Sequence, residues 1–340
     1  MNNKYHKILI LQTAYIGDVI VSTPLVREIK KLYPAADVDI ITTPLSAEIF
    51  QYNPYIRKVI KFDKRNQKYF NLLKLIKYLR GRKYECSISI QSSLTSALLL
   101  YFSGIARRIG FERQVLTTDS VEIEEKPEIH RSENILKLLT PLSNKEFDHR
   151  TELFLSDKER QLATNILEKV DNEQLKLIGI APGSIRFTKQ WPESYYVELL
   201  KNLASKNVFA FLIGGPKENK LCQRIINKSG NTKTSNLAGE LSILESSAVI
   251  KKLDLMLTND SAPLHMANAV KTDVFAFFGP TIRKYGFFPY RKNDKIFEID
   301  LYCRSCSLHG GKKCPEGHFK CMLEIRPGEV YEAIEKRLKL

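Results

Sequence analysis

The sequence predicts an α/β protein made of two doubly wound, parallel-sheet domains. Three observations carry this prediction. The chain has 340 residues, too many for one small hydrophobic core. Short apolar runs alternate with segments of helical periodicity in both halves, which is the pattern of βαβ units. A polar interval at residues 143–157 separates two such series, and the strand–loop–helix plan restarts after it. The expected division is residues 1–155, residues 156–325 and a closing helix at 326–340.

The first series opens with Lys-Ile-Leu-Ile-Leu at residues 7–11, a run suited to a strand buried on both faces. Residues 12–18 read as a loop containing Gly17. Residues 19–32 carry apolar side chains at helical spacing, with Pro24 early in the segment and Pro34 beyond its end. Residues 38–42 form the next strand. A single Gly17 is not a GxGxxG fingerprint, so the sequence gives no direct sign of that dinucleotide site. Further strands are expected at 58–62, 86–90 and 106–111, with a helix opened by Gln91-Ser92-Ser93 between the last two. An irregular, mixed-charge segment at 122–128 precedes a helix at 135–142 that residues 130–134 cap.

The second series has strands at 176–181, 208–213, 253–257 and 274–278, and helices at 193–205 and 218–229. Ser242 and Glu245 have capping-box spacing. A small-residue helix begins near Pro263, and a last one at 328–340 follows Arg326-Pro327. The four strands end in Pro182-Gly183-Ser184, Gly214-Gly215, Asp260-Ser261 and Gly279-Pro280. In a parallel sheet these turns share the carboxyl edge and line one cleft. A helix that starts directly after Asp260-Ser261 aims free N–H groups and its positive end at one point, which suits a phosphate. His265 adds a donor there, and Arg186 and Lys189 add cations. Taken alone, the same residues also fit an ordinary strand–helix corner with a capping Asp. Asp18, at the mouth of the first strand, has two readings as well: a general base for a substrate hydroxyl, or a helix cap.

Composition narrows the function classes. Hydrophobic content of 43% and charged content of 27% are those of a soluble globular chain. No apolar run approaches the ~20 residues of a membrane helix, and the run at 8–11 is too short for a signal-peptide core. A cytoplasmic protein is expected. The net charge of +15 calls for an acidic partner. Residues 57–83 hold eleven Lys and Arg and one acid, with aromatic and aliphatic residues interleaved. That is a membrane-surface pattern, or else a solvated helix face. No nucleic-acid motif accompanies the charge, so nucleic acid is not an expected partner. Cys303, Cys306, Cys314 and Cys321 follow C-x2-C-x7-C-x6-C, with His309 and His318 close by. They are candidate zinc ligands or reduced structural cysteines; the spacing departs from a regular two-knuckle ribbon.

Several of these segments, taken together and in order, resemble glycosyltransferase family 9, the ADP-heptose–lipopolysaccharide heptosyltransferases, nearest the heptosyltransferase II branch. In the first half the matching residues are Ile16-Gly17-Asp18-Val19 with Thr23-Pro24-Leu25, and Arg108-Ile109-Gly110-Phe111. In the second half they are Ala181-Pro182-Gly183-Ser184, Lys189-Gln190-Trp191-Pro192, Ile213-Gly214-Gly215 and Leu237-Ala238-Gly239. Asn259-Asp260-Ser261 with His265, Phe278-Gly279-Pro280-Thr281 and the terminal cysteine stretch complete the set.

The resemblance implies a GT-B fold, two Rossmann-like domains facing an interdomain cleft. It implies that residues 1–155 take the acceptor and residues 156–325 the nucleotide sugar. It implies inverting transfer of heptose from ADP-heptose to the lipid A–Kdo/heptose inner core of lipopolysaccharide, with no metal or other cofactor, at the cytoplasmic surface of the inner membrane. Asp18 matches the family's general base. Ser184, Lys189, Gly215, Asp260, Ser261 and His265 match its donor-binding residues. Where the family usually has glycine this chain has Ala262, which an L-residue tolerates easily only at negative φ.

Overall fold

The computed structural model describes residues 5–64, 68–170 and 175–340. They divide into two compact units: the chain up to Glu125 with Ile129–Phe154, and Lys126–Glu128 with Leu155–Leu340.

The first unit contains β1 (Lys7–Leu11), α1 (Ile16–Val21), α2 (Thr23–Leu32), β2 (Asp37–Thr42), β3 (Lys58–Lys61) and α3 (Lys68–Arg82). It continues with β4 (Cys86–Ser89), α4 (Leu94–Phe102), β5 (Arg107–Phe111), β6 (Asp119–Val121) and α5 (Arg131–Leu136). Its parallel sheet has the order β3-β2-β1-β4-β5-β6. Ile8 pairs with Val38 on one side and Cys86 on the other. β1 and β4 are therefore neighbours at which the chain reverses its direction of growth across the sheet, the place where open α/β sheets bind ligands. Leu9, Leu11, Ile41 and Ile60 fill the core with Leu75 and Leu79 of α3 and Leu99 and Leu100 of α4.

The second unit contains α6 (Asp157–Glu168), β7 (Lys176–Ala181), α7 (Glu193–Leu203), β8 (Val208–Leu212), α8 (Asn219–Ser229), β9 (Thr234–Asn236) and α9 (Ile243–Ile250). Then come β10 (Leu255–Asn259), α10 (Ala262–Val270), β11 (Val274–Phe277), β12 (Lys295–Phe297), α11 (Lys320–Leu323) and α12 (Pro327–Leu338). The sheet order is β12-β11-β10-β7-β8-β9, again parallel, with the reversal between β7 and β10. Trp191 lies face to face with Phe277 at 4.5 Å and meets the edge of Tyr196 at 4.8 Å. Val330, Ile334 and Leu338 seat α12 in the same core.

Two boundaries differ from the sequence reading in a way that matters. The segment read as a loop at residues 12–18 turns helical at Ile16, with Tyr15 at the N-cap and Asp18 in the first turn. Asp18 is therefore not the capping residue. The helix expected at 135–142 starts at Arg131 instead, capped reciprocally by the His130 ring and the Glu133 carboxylate. Among the described residues no helix is long and apolar enough to cross a membrane. Of the basic stretch, residues 65–67 lie outside the described residues.

Candidate active site

In the second unit, the carboxyl ends of β7, β8, β10 and β11 bring the expected donor-binding residues to one edge. Their arrangement starts from Asn259, the fully buried last residue of β10. Its amide nitrogen donates to the carbonyls of Pro182 (2.9 Å) and Gly183 (3.2 Å). Its amide oxygen accepts from the Trp191 backbone N–H (2.9 Å) and the Tyr196 hydroxyl (3.3 Å). One side chain thus ties the turn after β7 to the end of β10 and to the start of α7.

Asp260 follows. Its carboxylate accepts from the Lys189 ammonium at 2.5 Å and from the Thr281 hydroxyl at 2.7 Å. The pair is mostly buried: the side chains are 8% and 15% exposed for Asp260 and Lys189. Burial alone would make two such charges costly, so the close pairing and the third partner, Thr281, are what keep them there. The arrangement holds the ammonium at the amino end of α10.

Ser261 takes the N-cap position of α10, but its side chain makes no capping bond. Its hydroxyl lies 3.3 Å from both the Asn259 carbonyl and the Thr258 hydroxyl. The positive end of a nine-residue helix is left without a side-chain cap. Ala262 is the first residue of α10 and is not among the positive-φ residues, so replacing the family's usual glycine brings no backbone strain.

His265 is buried one turn further on, with its ring edge-on to Phe287 at 5.9 Å. Burial is the main cause that pushes its pKa down to about 4; the nearby Lys189 ammonium adds to the effect and the Asp260 carboxylate opposes it. At neutral pH the imidazole is uncharged and offers one N–H and one lone pair, not a positive charge.

Ser184 and Gly215 stand at the ends of β7 and β8. The Ser184 carbonyl is fixed by the Gln190 amide at 2.7 Å. The Gly215 N–H is taken by Glu218 at 2.9 Å. A Cβ on Gly183 would lie 2.3 Å from Glu218 Cγ, so glycine is required where this carboxylate crosses the turn. Glu218, Asn259 and Thr281 were not among the expected site residues. An acid three residues after Gly215, the spacing at which its carboxylate can accept that N–H, was the available signal for Glu218; a polar end to an apolar strand was the signal for Asn259.

In the first unit, Asp18 sits partly buried in the first turn of α1. Its backbone carbonyl accepts from the Gln12 amide at 3.2 Å, and Gln12 accepts in turn from Gln91 at 2.8 Å. This chain bridges the ends of β1 and β4 at the reversal point. The Arg131 guanidinium lies over the Phe111 ring at 5.4 Å. Burial lowers its pKa, while the Asp18 and Glu125 carboxylates favour its charge. The Asp18 carboxylate therefore lies in the electrostatic field of a partly desolvated cation.

Of the four cysteines, Cys303 has its Sγ 3.9 Å from His318 Nε2. Among the described residues, no group of three or more His, Cys, Asp or Glu side chains is arranged to hold a metal ion. Cys306 is exposed, whereas Cys321 is packed into the core beside Met322 and Ile325. Burial, with the neighbouring cysteines adding to it, pushes the Cys321 thiol up to about 11. The segment also packs against the second unit's sheet edge. The Gly311 N–H donates to the Thr188 hydroxyl at 2.7 Å and the Gly311 carbonyl accepts the Thr188 N–H at 3.2 Å. This straps the cysteine-rich segment to the turn that carries Lys189.

Comparison with known proteins matches this architecture. The profile of glycosyltransferase family 9 (heptosyltransferase) fits residues 72–318. The lipooligosaccharide heptosyltransferase 2 of Campylobacter jejuni (strain 81116) is 27% identical over 97% of this chain and 98% of its own. Two solved structures share the fold. The family 9 glycosyltransferase of Veillonella parvula superposes with a TM-score of 0.86 at 20% identity, covering 99% of this chain and 98% of its own. The ADP-heptose lipopolysaccharide heptosyltransferase II of Escherichia coli gives 0.78 at 22% identity, covering 98% of each chain. With the profile spanning well over half of its length, the chain belongs to glycosyltransferase family 9.

Proposed function

We propose that this protein is an inverting glycosyltransferase that moves heptose from ADP-heptose onto the lipid A–Kdo/heptose inner core of lipopolysaccharide. The reaction proceeds without a metal, at the cytoplasmic face of the inner membrane. The observation that carries the donor half is the Lys189–Asp260–Thr281 cluster held at the uncapped amino end of α10. It offers an ammonium, helix N–H groups and the neutral imidazole of His265 to one anionic group, which fits the diphosphate of a nucleotide sugar. The names of the relatives support ADP-heptose as that sugar.

In this reading the residues up to 155 take the acceptor and residues 156–325 the donor. Asp18 accepts the proton of the acceptor hydroxyl. The hydroxyl oxygen bonds to the anomeric carbon from the face opposite the diphosphate, the carbon–oxygen bond to the β-phosphate breaks, and ADP leaves with the electron pair. Inversion follows from that single displacement. The charge that develops on the leaving phosphate is met by Lys189, the N–H groups after Ser261 and a hydrogen bond from His265, with Ser184 and Gly215 at the neighbouring turns. These groups are fixed before the reaction, so little reorganisation is needed as charge builds. Positive charge from Lys189 and the helix end takes the place that a divalent cation fills in other phosphate-leaving reactions.

A thermal-shift series with ADP, UDP, GDP and CDP, with and without chelator, tests the donor half; transfer from ADP-heptose to heptose-deficient lipopolysaccharide tests the whole. A rise with ADP alone, unchanged by chelator, is expected. A rise with another nucleotide discards heptose as the sugar, and no rise at all overturns the donor site.

A further inference from the structure

Helix α3 is apolar on two sides. Leu72, Leu75, Ile76 and Leu79 face the core of the first unit. The opposite side exposes Phe70 (64%) and Leu73 (67%), and Lys74, Lys77 and Arg80 continue the same stripe at helical spacing. Helix α4 repeats the arrangement. Leu99 and Leu100 are buried, while Leu94, Tyr101 and Phe102 are exposed. The two helices join at their carboxyl ends, where Arg80 Nε donates to the Phe102 carbonyl at 2.6 Å. The Arg108 guanidinium lies over the Tyr101 ring at 5.4 Å.

Single exposed apolar side chains are ordinary on a soluble surface, but two adjoining stripes with a cationic rim are not. From residue 69 to residue 108 the sequence has seven Lys and Arg and one acid, Glu85. That carboxylate is already engaged by the backbone N–H groups of His6 and Lys7. A second copy docked through this face would set the same cations against each other, which disfavours a symmetric contact. An anionic lipid interface satisfies both features: the apolar side chains enter the acyl boundary and the cations meet the headgroups.

The placement also fits. α3 follows β3 and α4 follows β4, so both helices begin at the carboxyl edge of the sheet, the edge at which α1 carries Asp18. Phe70, Leu73 and Leu94 lie at those beginnings. We infer that the joint face of α3 and α4 is the surface by which this protein docks on an anionic bilayer, with its apolar end beside the acceptor-binding edge. The inference extends the proposed reaction at a lipid-linked acceptor, but its test needs neither donor nor acceptor.

The test is sedimentation of the full chain with vesicles of phosphatidylcholine alone or mixed with phosphatidylglycerol. The wild type is expected to bind only the anionic vesicles, less tightly as salt rises. K74E/K77E/R80E is expected to lose at least a hundredfold in affinity, from about fivefold for each cation removed. F70S/L73S is expected to lose about tenfold or more. Both variants should keep the far-UV spectrum, the nucleotide thermal shift and any transfer to a detergent-dispersed acceptor. Absence of binding by a folded wild type, or equal binding by wild type and both variants, overturns the inference. So does a wild-type dimer that F70S/L73S dissolves, which would give the face to a second copy. If vesicle binding behaves as expected and no transfer is found, the reaction fails and the surface stands.

Discussion

Replacing Asn259 with Ala tests whether one buried amide organises the donor edge. The substitution removes two donated bonds, to the Pro182 and Gly183 carbonyls, and the acceptor of the Trp191 N–H and Tyr196 hydroxyl. Each buried polar group left without a partner costs roughly 1–3 kcal/mol, and the void left by the amide adds to it. The losses share one relaxation, so they do not sum fully; a destabilisation of about 3–5 kcal/mol is expected. Trp191, the single tryptophan, lies against this site and reports on the second unit alone, so urea unfolding followed by its fluorescence gives the figure directly. ADP should also stabilise the variant less than the wild type, because the turn at residues 182–184 loses its tether. A loss below about 1 kcal/mol with an unchanged ADP response would mean that no partner is left stranded and that Asn259 does not organise this edge.

Two further outcomes follow from the same geometry. His265 is held neutral in the fold, so between pH ~6.5 and ~4 the unfolded chain binds a proton that the folded chain refuses. Stability from this group is therefore present above that window and falls as the pH drops through it, by at most about 3 kcal/mol. His265→Asn should lack this component, so its stability difference from the wild type should change between pH 7 and pH 4; parallel unfolding curves would contradict it. Gly310 has φ of +75°, and a Cβ there would lie 2.9 Å from Lys189 Cγ and 3.1 Å from Arg186 Cβ. Gly310→Ala should cost about 1–3 kcal/mol and weaken ADP binding several-fold by displacing the Lys189 stem; unchanged ADP binding would separate the strap from the site.

Most central strands are legible from their apolar residues, although β2 and β4 interleave them with Asp39, Ser87 and Ser89. β1, β2, β4, β7, β8, β10 and β11 are buried nearly throughout, and parallel strands covered on both faces leave that signature. β6, β9 and β12 were not legible. They are three-residue edge strands, and Asp119-Ser120 or Thr234-Ser235-Asn236 look like loop. Gly17 and Tyr15, an N-cap residue without a capping side chain, hide the start of α1, so in the sequence Asp18 falls before the periodic segment. Lys189, Asp260, Ser261 and His265 could be grouped because the turn residues after each strand share the carboxyl edge. The partners that hold them, Asn259 and Thr281, are single polar residues whose role appears only when separate strands are brought together. Cysteine spacing gives distance along the chain only; the burial of Cys321 is set by the helix that carries it.

The most direct test of the account is the turnover of Asp18→Asn with ADP-heptose and heptose-deficient lipopolysaccharide, set beside its thermal response to ADP. Asp18 does not cap its helix, so any loss of folding stability comes from its other contacts, the Arg131 charge among them, and is read in the melt without ADP. The account predicts a fall in turnover of about 10²–10⁴-fold, the contribution of a positioned base, with the ADP response intact. Turnover within a few-fold of the wild type, in a variant that still binds ADP, would remove Asp18 as the base and contradict the mechanism.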